Sequence, residues 1–234
     1  KSILKINKKD ILVVIPARSG SKGIPGKNIK KLHGKPLINY TIEAAKEIFE
    51  NSQVIVSTDD KEIAEIAASH GANIPFLRPK ELAQDDSSTR DVILHLVDYF
   101  ERKKSMPSVI VLLQVTSPLR NSKHLNEALD LFFHKDCDMV VSVTESKTSP
   151  YFNLYEENKE GYLQKSKDGA FTRRQDVPPV YEYNGAIYIF KTKSIVESEM
   201  KDFEKITKYV MSKNDSVDID DEVDWKIAEY ILTK

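Results

Sequence analysis

Ile11-Leu12-Val13-Val14-Ile15-Pro16-Ala17-Arg18-Ser19-Gly20-Ser21-Lys22-Gly23-Ile24-Pro25-Gly26-Lys27-Asn28 runs an apolar stretch straight into a loop with three glycines and three cations. The first five residues carry no polar alternation, the mark of a strand covered on both faces. Glycines let a backbone approach an anion closely, and Arg18, Lys22 and Lys27 supply charge for phosphate oxygens. The alternative, an ordinary basic surface loop, is set against its position at the carboxyl end of a strand, where open α/β sheets bind ligands. The glycine spacing GxxGxxG fits neither of the two best-known phosphate loops, GxxxxGK[ST] and GxGxxG.

Working outward, VIVS at 54–57, IPFL at 74–77, VIVLLQ at 109–114 and MVVSV at 139–143 repeat the continuous apolar pattern. Between them the apolar residues fall at helical spacing: Ile38, Ile42, Ala45 and Phe49; Ile63, Ile66 and Ala67; Val92, Leu96, Val97 and Phe100; Leu125, Ala128, Leu129 and Phe132. Helix starts are expected at Pro36, Asp60, Ser88 with Asp91, and Ser122. Strands alternating with helices predict a layered α/β sandwich with a parallel sheet. From about 145 to 183 the sequence turns polar and aromatic with prolines, reading as an inserted arm of a single domain spanning 1–234. AIYIF at 186–190 is a strand again, KYVMS at 208–212 and SVDID at 216–220 are strand-like, and Val223, Ile227, Ala228 and Ile231 predict a closing helix.

Composition narrows the class of partner. The 35 basic and 36 acidic residues nearly cancel, which argues against nucleic acid and membrane surfaces as partners. No apolar run reaches the roughly 20 residues of a membrane span. One cysteine, Cys137, allows no internal disulfide or cysteine cluster and is expected buried and inert. The expected location is therefore cytoplasmic. The five histidines lack ligand spacing, and no serine, histidine and acid set stands beside a nucleophile elbow.

Other strand ends carry polar groups suited to reading a base and a ribose: Ser57-Thr58-Asp59, Arg78-Pro79 and Gln114 through Arg120. Ser57, Thr58 and Ser117 also suit turns or caps. Asp218 and Asp220, at i and i+2 on a strand-like run, would place two carboxylates on one face, a pair fitted to Mg²⁺. The competing role, capping the last helix, is open to Asp220 or Asp221.

These residues, taken together, resemble one family: the CMP-sialic acid synthetases, or acylneuraminate cytidylyltransferases, with relatives that activate legionaminic acid. The resemblance rests on IPARSGSKGIPGKN from Ile15, STD from Ser57, LRPKELAQD from Leu77, LLQVTSPLR from Leu112, RRQ from Arg173, YNGAIYIF from Tyr183 and DSVDIDDEVD from Asp215. It implies a three-layer, Rossmann-like nucleotidyltransferase sandwich with a mostly parallel sheet. It also implies a homodimer whose inserted dimerisation arms complete each other's sugar pockets. It assigns Arg18, Ser21, Lys22, Lys27 and Asn28 to CTP, with Arg78 and Thr89 supporting the nucleotide. Gln114, Thr116, Ser117, Arg174 and Asn184 go to the sugar, and Asp218 with Asp220 to Mg²⁺ or Mn²⁺; Arg18, Lys22, Lys27 and the two aspartates would be catalytic. The implied reaction joins CTP to a free nine-carbon sugar acid and releases pyrophosphate. Alternatives are an eight-carbon sugar acid and a non-catalytic nucleotide-binding subunit. A short Ser19 and the aromatic Tyr151 and Phe152 are expected to form an apolar wall favouring a methyl-ended, N-acetylated tail such as that of legionaminic acid.

Overall fold

The computed structural model describes residues 8–21 and 23–234, and of Arg174 the backbone alone. Strand β1 (Ile11–Pro16) is followed by a small hairpin, β2 (Lys31–Leu32) and β3 (Lys35–Pro36), and by α1 (Leu37–Lys46). Next come β4 (Val54–Ser57), α2 (Lys61–Ser69), α3 (Thr89–Arg102), β5 (Val109–Leu112), α4 (Ser122–His134) and β6 (Met139–Glu145). A short hairpin, β7 (Tyr155–Glu157) and β8 (Leu163–Lys165), precedes the long β9 (Tyr181–Lys191). The chain closes with α5 (Thr192–Glu197), β10 (Ile206–Val210) and α6 (Glu222–Leu232).

Six strands form one sheet in the order β10-β6-β9-β5-β1-β4. β4 and β5 pair parallel to β1, and β10 pairs parallel to β6; β9 runs antiparallel between β5 and β6. Period-2 geometry splits each strand between two cores. Ile11, Val13 and Ile15 of β1 face a cluster with Ile38 and Ile42 of α1, Ala67 of α2, Leu125 and Phe132 of α4, and Trp225 of α6. Leu12 and Val14 face the opposite cluster, with Ile93, Leu96 and Val97 of α3 and Ile195 of α5. The result is the three-layer α/β sandwich with a mostly parallel sheet.

Four local expectations need correction. Residues 74–77 are not a strand: Asn73 makes an isolated bridge to Ile55, Pro75 has no amide hydrogen for a ladder, and the Phe76 ring packs edge-on against His95 and Tyr99 of α3. Residues 216–220 are not a strand either; a 3₁₀ turn at Asn214–Ser216 leads into an irregular run tied by the Ile219 amide to the Thr116 carbonyl. α4 is capped by Asn121, one residue before Ser122, and Pro36 is likewise the residue before α1. In α6 the buried residues are Trp225 and Ala228, while Val223 and Ile227 are exposed. The Asp60 and Ser88 caps are present, accepting from the amides of Ile63 and Asp91.

The 145–183 excursion leaves the sheet where Glu145 pairs with Tyr181 and carries the β7–β8 hairpin, every residue of which is exposed. Cys137 is buried, and that burial raises its thiol pKa.

Candidate active site

The loop after β1 is built against the segment that precedes α6. A Cβ on Gly23 would lie 2.0 Å from the Asp220 carbonyl oxygen, so glycine there is a steric requirement. Gly26 has φ +63°, the left-handed region where glycine is unstrained. Lys27 is buried and donates to the Ile219 carbonyl at 2.6 Å, with its Nζ 3.7 Å from the Asp220 carboxylate. Asn28 donates to the Arg18 carbonyl, which closes the loop on itself.

Two carboxylates far away in sequence hold the loop's outer end. Asp59, just past β4, accepts from both the amide and the hydroxyl of Ser19, at 2.9 and 2.8 Å. Partial burial pushes the Asp59 carboxyl up, but the Ser19 hydrogen bonds and the Arg78 charge outweigh it and leave the pKa below the ordinary value. Ser19 therefore faces Asp59, and it does not join the expected apolar wall. Asp85 meets Arg18 at 2.6 Å.

The far side of the cleft comes from the end of β5. Gln114 Oε1 and Asp218 Oδ2 would lie 3.1 and 3.3 Å from a Cβ on Gly185, so this glycine, at φ +72°, lets two polar side chains converge. The Thr116 hydroxyl, which donates to Gln114 Oε1 at 3.5 Å, also lies near the Asp218 carboxylate. Burial raises the Asp218 carboxyl first, Thr116 pulls it back, and the neighbouring Asp220 charge raises it again. Asp218 Oδ1 is buried with no hydrogen-bond partner, whereas the Asp220 side chain is 79% exposed. Asp221, not Asp220, caps α6, and Asp224 accepts from the amides of Asp220 and Asp221 and so fixes the turn.

A cavity of about 310 Å³ opens between these parts, at the carboxyl ends of β1 and β5. Arg18, Ser21, Lys27 and Asn28 line one side, Gln114 and Thr116 the other, with Asp220 at the edge. The geometry thus brings together cations, amides and a carboxylate where an open α/β sheet binds ligands. Against this background, the profile of the family described as Cytidylyltransferase matches residues 12–227. The chain belongs to the cytidylyltransferase family.

Among relatives, a CMP-N,N'-diacetyllegionaminic acid synthase of Legionella pneumophila is 35% identical over 225 residues, covering 95% of this chain and 96% of that protein. An N-acylneuraminate cytidylyltransferase of Streptococcus agalactiae is 37% identical over 89% of this chain; the match spans 50% of that longer protein. A solved CMP:2-keto-3-deoxy-manno-octonic acid synthetase complexed with CTP superposes with a TM-score of 0.69 at 16% identity, covering 95% of this chain and 98% of that one. That likeness speaks for the fold.

The remaining candidates of this cytidylyltransferase-family chain lie around the cavity in different roles. Arg78 is buried and donates to the Ser57 hydroxyl, the Ser57 carbonyl and the Leu82 carbonyl, bracing the end of β4; burial lowers its pKa and Asp59 opposes the shift. Thr58 accepts from the Asp60 amide, a local turn bond. Thr89 opens α3, half-buried behind the Ser88 cap. Ser117 is buried with its hydroxyl unpartnered. Asn184 is also buried; it accepts from Ser142 and from the Ala186 amide and donates to Ser216. It ties the bulged β6–β9 pair to the turn leading to Asp218, and its amide faces these partners instead of the cavity. Arg174 begins a 3₁₀ turn in the excursion, and among the described side chains none of the excursion lines this cavity. Lys22 lies outside the described residues.

Asp85 and Asp224 are residues that sequence reading left without a role, and Asp59, placed there among groups reading a base and a ribose, instead anchors Ser19. Asp59 stood in the STD run and Asp85 in LAQD, but the partners that give them meaning are 40 and 67 residues away.

Proposed function

We propose that the chain transfers a cytidylyl group from CTP to a nine-carbon 2-keto sugar acid, forming a CMP-nonulosonate and pyrophosphate. The observation that carries the reading is one cavity lined by Arg18, Ser21, Lys27 and Asn28 together with Gln114, Thr116 and Asp220. The loop cations bind and orient the triphosphate, Gln114 and Thr116 hold the acceptor, and the sugar's anomeric hydroxyl displaces pyrophosphate in line from the α-phosphorus.

Asp218 and Asp220 fit a divalent cation. Burial and, after it, the Asp220 charge raise the Asp218 pKa, and one Asp218 oxygen is buried without a hydrogen-bond partner; a cation would satisfy that oxygen and relieve the repulsion. Bound there, Mg²⁺ would offset charge on the triphosphate. Among the described residues no group of three or more His, Cys, Asp or Glu forms a fuller cage, and Mg²⁺ needs none when phosphates and waters complete its shell.

We also read the chain as a homodimer. Leu154, Tyr155, Tyr162 and Leu163 expose apolar side chains on the excursion, and such clusters mark interaction surfaces. A cytoplasmic location fits the buried free thiol. Among the described residues, no helix is long and apolar enough to cross a membrane.

The sugar is read as N,N'-diacetyllegionaminate or a close relative, supported by the Legionella relative that matches end to end. With Ser19 turned to Asp59, the apolar wall for the sugar's tail comes from the excursion, where Tyr151 packs edge-on with Phe171. Pyrophosphate release from CTP is measured against a panel of nonulosonic acids and an eight-carbon ulosonic acid. N,N'-diacetyllegionaminate should be used at least as well as N-acetylneuraminate. A tenfold preference for N-acetylneuraminate, about 1.4 kcal/mol, rejects the sugar assignment, and activity with the eight-carbon acid alone rejects the nonulosonate reading.

A further inference from the structure

We propose that Asp85 is a resident competitor for Arg18 that sets how strongly an anion must bind before the glycine-rich loop accepts it. The inference rests on the reading of that loop as the triphosphate site. It begins from the pairing of the cavity's cations in this state. Lys27 faces Asp220 at 3.7 Å and the Ile219 carbonyl at 2.6 Å, and Arg18 faces Asp85 at 2.6 Å. The described loop cations are thus already opposite carboxylates, and an arriving phosphate must exchange with them.

The two exchanges are unlike. Asp220 sits on the turn that also carries the cation-fitted Asp218, so a metal-bound triphosphate brings its own substitute for Lys27's partner. Asp85 is elsewhere, in a turn that belongs to α3. The Gln84 amide donates to the Ser87 hydroxyl, the Ser87 hydroxyl donates to the Glu81 carbonyl, and Ser88 caps the helix. These bonds brace the turn that carries Asp85, whose carboxylate meets Arg18 on the cavity's lining, so the ligand's phosphates must take Arg18 from it.

Both side chains are partly exposed, 34% for Arg18 and 52% for Asp85, which keeps the pair weak enough to exchange. A carboxylate there also repels any anion that approaches Arg18 without making enough contacts to replace it. Asp85 is in this sense a specificity-determining residue: a polyanion held by several groups overcomes it, and a small one does not.

The test is calorimetric titration of wild type, Asp85→Asn, Asp85→Ser, Arg18→Ala and the Arg18→Ala/Asp85→Asn double variant with CTP and with pyrophosphate. Thermal unfolding of each variant checks the fold. Removing the competing charge should tighten both ligands roughly threefold to fivefold, the range of an exposed ion pair. In the Arg18→Ala background the Asp85→Asn change should do nothing. Weaker or unchanged binding in both Asp85 variants overturns the competitor role and makes Asp85 a brace for Arg18. Tightening that persists without Arg18 overturns it too. If Arg18→Ala itself leaves CTP binding unchanged, the triphosphate assignment of the loop fails, and the inference falls with it.

Discussion

Asp221 accepts from the amides of Val223 and Asp224, whereas its neighbour Asp220 points a largely exposed carboxylate toward Lys27. With Asp220 proposed as a catalytic carboxylate, the two adjacent aspartates should separate into a stability role and a chemical one, and substitution should show it. Asp221→Ala removes a helix cap and should cost about 1 kcal/mol, a fall of about 2–4 °C in Tm, with turnover largely kept. Asp220→Ala should leave Tm within about 1 °C and abolish turnover, by at least about 10²-fold if it helps to offset charge in the transition state. Parallel thermal unfolding and pyrophosphate-release assays check both; the reverse pattern would mean that Asp220 serves the fold. Sequence alone left this choice open, because capping depends on where the helix begins and the surrounding residues permit either start. The glycine-rich loop was legible for the opposite reason: its glycines and cations are contiguous, so their shared purpose needs no tertiary information. Asp59 and Asp85 reach that loop only through the fold.

At the scale of elements, α4 carries a cap with a pH-sensitive member. Asn121 accepts from the His124 amide while His124 Nδ1 accepts from the Asn121 amide, which requires that nitrogen to be unprotonated. Burial lowers the His124 pKa, and Asp215, 3.6 Å from its Nε2, opposes the shift without cancelling it. A histidine with a folded pKa below its unfolded value of 6.5 takes up protons more readily when unfolded, so its contribution is full above that value and declines as pH falls through it. His95, lowered by burial with Arg102 adding to the effect, acts in the same direction. Tm should accordingly fall between pH 7.5 and pH 5.5. His124→Gln, which keeps an acceptor for the Asn121 amide, should flatten that fall; an unchanged slope would remove His124 from the account. The strands at 11, 54, 109 and 139 were readable because a strand covered on both faces is apolar without interruption. IPFL at 74–77 has the same composition, yet Phe76 packs on α3, and the sheet gains its fifth parallel strand from β10. The α6 stripe was right at Ala228 but missed Trp225, because Val223 and Ile227 share a face at helical spacing just as well as Trp225 and Ala228 do. Tertiary packing chooses between them, and it buries the larger ring.

Over the whole molecule, the cavity takes its described lining from β1, its loop, the end of β5 and Asp220, and none from the described side chains of the excursion. The proposed homodimer, with each excursion reaching the partner's sugar site, predicts complementation. Subunits with Arg174→Ala and subunits with Asp220→Ala, each inactive alone, should recover part of wild-type turnover when coexpressed and purified as heterodimers. No recovery in verified heterodimers would confine each site to one chain. The reaction proposed for the cleft between the glycine-rich loop and the β5 end is narrower still: the cytidylyl group of CTP, α-phosphorus included, passes to a sugar acid and pyrophosphate leaves. The direct measurement supplies CTP labelled at the α-phosphorus, Mg²⁺ and N,N'-diacetyllegionaminate, and follows both label and pyrophosphate. The account predicts that label enters a sugar-linked product in a one-to-one ratio with pyrophosphate released, and that the transfer is lost in Lys27→Ala. Label recovered only as CTP or as free CMP, with the sugar acid unmodified, would contradict it.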